Sequence, residues 1–165
     1  MNPFDAAATA AVWARVRGEE QGASLPEALL ALLSDERTER STYLRLTRFR
    51  AGAPVFRTLA REEGCHAQKL AVLYFLLTGQ TACAETGAVP CYRCLSEALR
   101  DRFAQEQKSV QAYRAAADRW PEHAAFFSAL AAREQSHAAA LLRLTQKILS
   151  SSVHRCRCFG GCKQN

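Results

Sequence analysis

In the stretch ALAAREQSHAAALLRL, Leu130, Leu141 and Leu144 trace an apolar stripe at helical spacing, yet Glu134 and His137 complete it. An acid and an imidazole are thus aimed where a core should be. The same pair recurs as Glu63 and His66 in REEGCHAQKLAVLYFLLTG. Each pair follows another stripe glutamate, Glu36 by 27 residues in the first half and Glu106 by 28 in the second, and each of those is followed seven residues later by a tyrosine, Tyr43 or Tyr113. Apolar positions repeat in any helical protein; acids and histidines have no packing reason to do so.

Four glutamates in an apolar interior repel one another and lose their hydration, so without compensation they take up protons or prevent folding. Two divalent cations would balance four carboxylates and leave two neutral imidazoles to complete the ligation. Glu-x-x-His places carboxylate and imidazole one helical turn apart on one face, so both reach the same axis. Glu36, Glu63, His66, Glu106, Glu134 and His137 are therefore the expected metal ligands. The neighbouring Glu39 and Glu62 lie off the stripes and read as solvated charges.

The elements that must position these groups are helical. Alanine, leucine, arginine and glutamate dominate, nearly half of the 165 residues are hydrophobic, and there are only eight Gly and five Pro. That composition suits one all-α domain with a sizeable core. The first long helix is expected from Pro26 to about Arg50, with Leu29, Leu32 or Leu33, Glu36, Tyr43 and Leu46 on one face. A second runs from about Pro54 to Leu77, presenting Phe56, Leu59, Glu63, His66, Leu70, Leu73 and Leu77. The third starts near Tyr92 and presents Leu95, Leu99, Phe103, Glu106, Val110 and Tyr113. The fourth opens at Pro121, where a helix tolerates proline, and presents Phe127, Leu130, Glu134, His137, Leu141, Leu144 and Ile148.

Four such helices bury their seams only against one another, as a four-helix bundle over residues 26–149. Residues 1–25 are expected to form a short helical segment and linker, and residues 150–165 an irregular tail containing cysteines. The midpoints of the two Glu-to-Glu intervals fall at turn signals, beside Gly52 and Pro54 and beside Pro121. Each hairpin then climbs and descends about 14 residues, roughly 20 Å each way, which returns all four glutamates to one height.

The formal net charge is +6, but the arginines scatter along helical faces without aromatic interleaving, so a solvated surface is expected and nucleic-acid binding is not. The start, MNPFDAAATAAVWARV, has an acid where a secretory signal has basic residues, and no stretch is long and uncharged enough to span a bilayer. A cytoplasmic protein without a membrane partner is expected. Seven cysteines then read as thiols or metal ligands. Cys83, Cys91, Cys94, Cys156, Cys158 and Cys162, with His154, leave open a zinc or redox site or dispersed free thiols; Cys65, beside the ligands, is expected to pack.

At the two Glu-x-x-His helices the sequence resembles the ferritin-like di-iron carboxylate proteins, and among them rubrerythrin-type domains, over roughly residues 26–149. The resemblance implies a ferritin-like bundle, two helical hairpins joined by a long crossover. Glu36 and Glu106 would be terminal ligands, Glu63 and Glu134 would bridge two irons, and His66 and His137 would each bind one. Tyr43 and Tyr113 would hold carboxylates by hydrogen bonds, where the residues alone allow also a plain core role. The loop from Gln80 to Cys91 reaches about 40 Å when extended, about what the crossover needs; without it, an up-and-down bundle would hold the same ligands. Two departures stand out. Phe103 and Ser109 occupy the positions one turn either side of Glu106, where the family usually adds a glutamate, and a single Cys91-x-x-Cys94 knuckle does not make a rubredoxin domain.

The activity this implies is a di-iron oxidoreductase acting on peroxide or dioxygen, reducing hydrogen peroxide with electrons from an external donor protein. Ferroxidase or iron-handling activity, and a non-catalytic ferritin-like scaffold holding manganese or zinc, remain as alternatives, and a homodimer is possible.

Overall fold

The computed structural model describes residues 23–158. The expected N-terminal helical segment and the end of the cysteine tail lie outside them. Among the described residues there are four α-helices and no strand: α1 (Leu25–Leu46), α2 (Ala53–Thr78), α3 (Leu95–Arg119) and α4 (Ala124–Cys158). Helix α1 begins with a capping box, in which Ser24 accepts from the Glu27 N–H while the Glu27 carboxylate accepts from the Ser24 N–H at 2.8 Å. Helix α2 closes on Gly79, whose φ of 69° is left-handed and whose N–H donates to the Phe75 carbonyl at 2.7 Å.

Several boundaries differ from the sequence expectation. Helix α1 stops at Leu46 rather than near Arg50, because residues 47–52 form successive turns into α2. Helix α3 starts at Leu95 rather than Tyr92, which is buried in the preceding loop with its hydroxyl donating to Asp101 and its carbonyl accepting from Arg48. Pro121 opens a 3-10 turn, Pro121–His123, and the α-helix follows it. The residue before that proline, Trp120, is pushed out of helical geometry, as a residue preceding proline generally is. Helix α4 continues to Cys158, beyond Ser150 where periodicity fades. Ser150 and Ser151 return their hydroxyls to the carbonyls of Gln146 and Lys147, so these serines decorate the helix instead of ending it.

The helices form two hairpins that face each other. Tyr43 stacks on Phe56 with ring centroids 6.1 Å apart while Glu36 meets His66, so α1 and α2 are antiparallel. Tyr113 beside Phe127 and Glu106 beside His137 give the same relation for α3 and α4. The connection from α2 to α3 travels along α1. Ser34 Oγ donates to the Glu85 carbonyl at 2.6 Å, the Gly87 N–H to Thr38 Oγ1 at 2.7 Å, and Arg45 to the Val89 carbonyl at 3.0 Å. Arg37 and Arg48 hold the Ala84 and Tyr92 carbonyls. The chain thereby returns to the end where α2 began, and α2 and α3 run in the same direction.

Two apolar clusters fill the bundle. One gathers Leu46, Phe56, Leu59, Leu99, Leu141 and Leu144; the other gathers Leu29, Leu33, Leu70, Ala116, Phe127 and Leu130. Between them lies a layer of buried polar side chains. Two positions assigned to inner stripes are instead exposed, Leu77 at 43% and Phe103 at 39%. In place of Phe103, its neighbour Arg102 turns inward and is 5% exposed, because Glu39 on α1 and Asp101 supply it with carboxylates.

The bend between α1 and α2 is tightly filled. A Cβ on Gly52 would come within 2.5 Å of the Phe56 ring and 3.1 Å of Leu144 Cδ2. Phe56 is fully buried and has nowhere to go. Gly52→Ala is expected to lower the unfolding free energy by about 1–3 kcal/mol, the usual cost of overpacking. Urea denaturation followed by circular dichroism measures this; an unchanged midpoint would show that the bend relaxes freely.

Candidate metal centre

Each helix delivers its polar residues into the layer from its buried stripe. Helix α1 brings Glu36, α2 brings Glu63 and His66, α3 brings Glu106, and α4 brings Glu134 and His137; all six are at most 4% exposed. Around His66 Nδ1 stand Glu134 Oε1 at 2.7 Å, Glu63 Oε2 at 3.2 Å and Glu36 Oε2 at 3.4 Å. Around His137 Nδ1 stand Glu63 Oε1 at 3.0 Å, Glu106 Oε2 at 3.5 Å and Glu134 Oε2 at 3.6 Å. Glu63 and Glu134 therefore turn one oxygen to each histidine, while Glu36 and Glu106 each serve one. The two imidazoles lie face to face, 15° from parallel, with centroids 5.3 Å apart.

These close approaches are not aligned hydrogen bonds. Glu36 Oε2, both Glu63 oxygens, Glu106 Oε2, Glu134 Oε1 and both Nδ1 atoms are buried without a hydrogen-bond partner. Buried polar atoms left without aligned hydrogen bonds in this way cost several kcal/mol together. One ligand atom from each of Glu63, His66, Glu134 and His137 lies within 4.8 Å of the others, so this buried group could hold a metal ion. Carboxylate oxygens with imidazole nitrogens suit iron, manganese or zinc.

The remaining carboxylate oxygens are held from outside. The Tyr43 hydroxyl donates across the hairpins to Glu106 Oε1, and the Tyr113 hydroxyl to Glu36 Oε1. Both tyrosines are essentially fully buried, so each hydroxyl fixes one carboxylate in orientation. The two bonds relate the hairpins by an approximate twofold, as the sequence repeat requires.

Glu39 and Glu62 are not the solvated charges their positions suggest. Glu39 pairs with Arg102, and Glu62 Oε2 accepts from His137 Nε2 at 2.9 Å. Sequence periodicity could not find Glu62, because one residue along a helix rotates a side chain by about 100°, off the inner stripe and toward α4. Arg102 was hidden for a related reason: either it or Phe103 completes a helical step between Leu99 and Glu106. Cys65 does not pack inside; it is exposed, as are Cys83, Cys91 and Cys94, all free thiols. The side chains of Cys156, Cys158 and Cys162 lie outside the described residues.

Without cations, charge balance falls to protons. For His66, burial opposes the charged ring, but Glu134, Glu36 and Glu63 outweigh it and push its pKa up to about 11. His137 is raised too, burial again being overcome by Glu106, Glu134 and Glu63. Burial, helped by Glu63 and Glu134, lifts Glu36 well above the usual carboxylate range against the pull of His66. Burial likewise raises Glu106 to about 8. Glu134 goes the other way: burial would raise it, but His137 and His66 hold it at about 2.

At pH 7 the metal-free layer thus carries protons on both imidazoles and on Glu106, with Glu36 shifted in the same direction, where a cation needs lone pairs. Loading with a divalent cation is expected to release roughly two to four protons per chain, and affinity to climb as pH rises through about 8 and on toward about 11. Titration in weakly buffered solution with a pH indicator measures the release. Binding without proton release would mean that the cations sit elsewhere.

Among the described residues, no helix is long and apolar enough to cross a membrane. Comparison of the chain with protein-family models, curated proteins and solved structures found no match.

Proposed function

We propose that this chain is a non-haem di-iron oxidoreductase on a ferritin-like bundle, reducing hydrogen peroxide to water with electrons from an external donor protein. The observation that carries the reading is the paired donor set, in which Glu63 and Glu134 each present one oxygen to the His66 half and one to the His137 half. Carboxylates placed in this way would be able to bridge two cations. The crossover along α1, which sets α2 parallel to α3, supports the ferritin-like topology.

Two irons held by Glu36, Glu63, His66, Glu106, Glu134 and His137 would together supply two electrons to an O–O bond. The chain's own part is positional and electrostatic. Tyr43 and Tyr113 keep Glu106 and Glu36 turned inward, the apolar clusters on either side exclude bulk water, and the charge of the four carboxylates matches two divalent cations. Hydrogen peroxide, two electrons from the donor and two protons give two water molecules.

Stopped-flow mixing of the reduced, iron-loaded protein with peroxide tests this. Oxidation is expected far faster than that of free ferrous iron, and His66→Ala and Glu134→Ala are expected to slow it roughly a hundredfold or more. A rate equal to that of free iron rejects the peroxidase reading. Sustained turnover of excess ferrous iron would assign ferroxidase activity instead, and protein purified with two zinc or manganese ions and inert toward peroxide would assign a scaffold.

A further inference from the structure

The twofold pattern of the layer is broken in its surroundings. The repeat pairs Glu63 with Glu134 and His66 with His137, so the residue before each pair should correspond as well; these are Glu62 and Arg133. Glu62, on α2, accepts from Nε2 of His137, on α4, at 2.9 Å with its side chain 26% exposed. A carboxylate has no proton to give, so in the neutral ring that a cation needs the bond selects the Nε2–H tautomer and turns the Nδ1 lone pair toward Glu63 and Glu106. The counterpart beside His66 would have to come from Arg133, which is exposed and has no acceptor atom. The break is reinforced on α3, where Arg102 is tied to Glu39 one turn before Glu106, while the repeat places Leu32 and Ser109 at the matching positions.

Resting on the two-cation reading above, we infer that the two metal positions are inequivalent and that Glu62 makes the His137 position the tighter one, filled first. A carboxylate behind a ligating imidazole raises its basicity and holds its ring in place, and loss of such a partner costs about 10–100-fold in affinity. The His66 position lacks that support from its twin. A partly loaded protein would therefore carry its cation on the α3–α4 side, with Glu106 and His137. The first equivalent enters there.

The test is a manganese(II) titration of the full-length, metal-free protein, with free and bound ion counted by electron paramagnetic resonance; thiols hold this ion poorly, so the cysteines do not interfere. The wild type is expected to show two separable steps. Glu62→Ala should weaken the tighter step about 10–100-fold and leave the weaker within about twofold, with Glu62→Gln intermediate because its amide oxygen still accepts. Arg133→Glu, which offers His66 a carboxylate, should strengthen the weaker step alone. Because Glu62 is partly exposed, these variants should fold, and far-ultraviolet circular dichroism checks it. Two equivalent ions in the wild type, or a Glu62→Ala effect that is absent or shared equally by both steps, overturns the inference while leaving the two-cation reading intact. A wild type that takes up no ion, or one at most, overturns the two-cation reading itself and the inference with it.

Discussion

Six ionisable side chains share one buried layer, and their mutual charge is the constraint from which the rest follows. A lone carboxylate moved into a protein interior costs several kcal/mol even after relaxation, and four together cost more because they also repel. The bundle tolerates Glu36, Glu63, Glu106 and Glu134 only because their charge is met, by protons on His66, His137 and Glu106 or by cations. The layer divides the apolar core into two clusters, one above and one below, each of which packs as an ordinary helical interior. Stability and chemistry are therefore separated along the axis: the ends hold the helices together, and the middle is free to be polar.

Holding that middle in shape is the work of groups that never enter it. Tyr43 and Tyr113 reach across from one hairpin to the other, so the bonds that orient Glu106 and Glu36 also fix the spacing between α1 and α3. Arg102 makes a further tie between the same two helices through Glu39, and Tyr92 joins it through Asp101. From Ala84 to Tyr92 the connecting loop is sewn to α1 and the turn after it, mostly by side-chain donors there and once by the Gly87 N–H. A long loop fixed in this way forfeits entropy once, on folding, and afterwards sets which helices are neighbours.

Symmetry in the ligands and asymmetry around them have different origins. The repeat dictates that each hairpin contributes a Glu, a Glu-x-x-His and a Tyr, which is enough to build two half-sites of like composition. Glu62 and Arg133, or Arg102 and Leu32, differ because positions outside the layer are not bound by its charge balance. A pair of half-sites with the same ligands can in this way be given different strengths by residues behind them.

By itself, the sequence determined the helical class, the two hairpins and the identity of the six layer residues. Helical periodicity reports which side chains share a face, and a recurring acid or histidine on an apolar face has few explanations. Its element ends were less secure: Tyr92, Pro121 and Ser150 each looked like a boundary, but the ends depended on local hydrogen bonds that periodicity does not carry. Only the tertiary structure decided that Arg102 rather than Phe103 turns inward, that Tyr43 serves Glu106 while Tyr113 serves Glu36, that Glu62 stands behind His137, and that Cys65 faces outward. Each of these depends on what the neighbouring helix offers at that height. A single chain's pattern fixes the face of a helix, but the partner across the interface comes from a residue dozens of positions away, and only packing brings the two together.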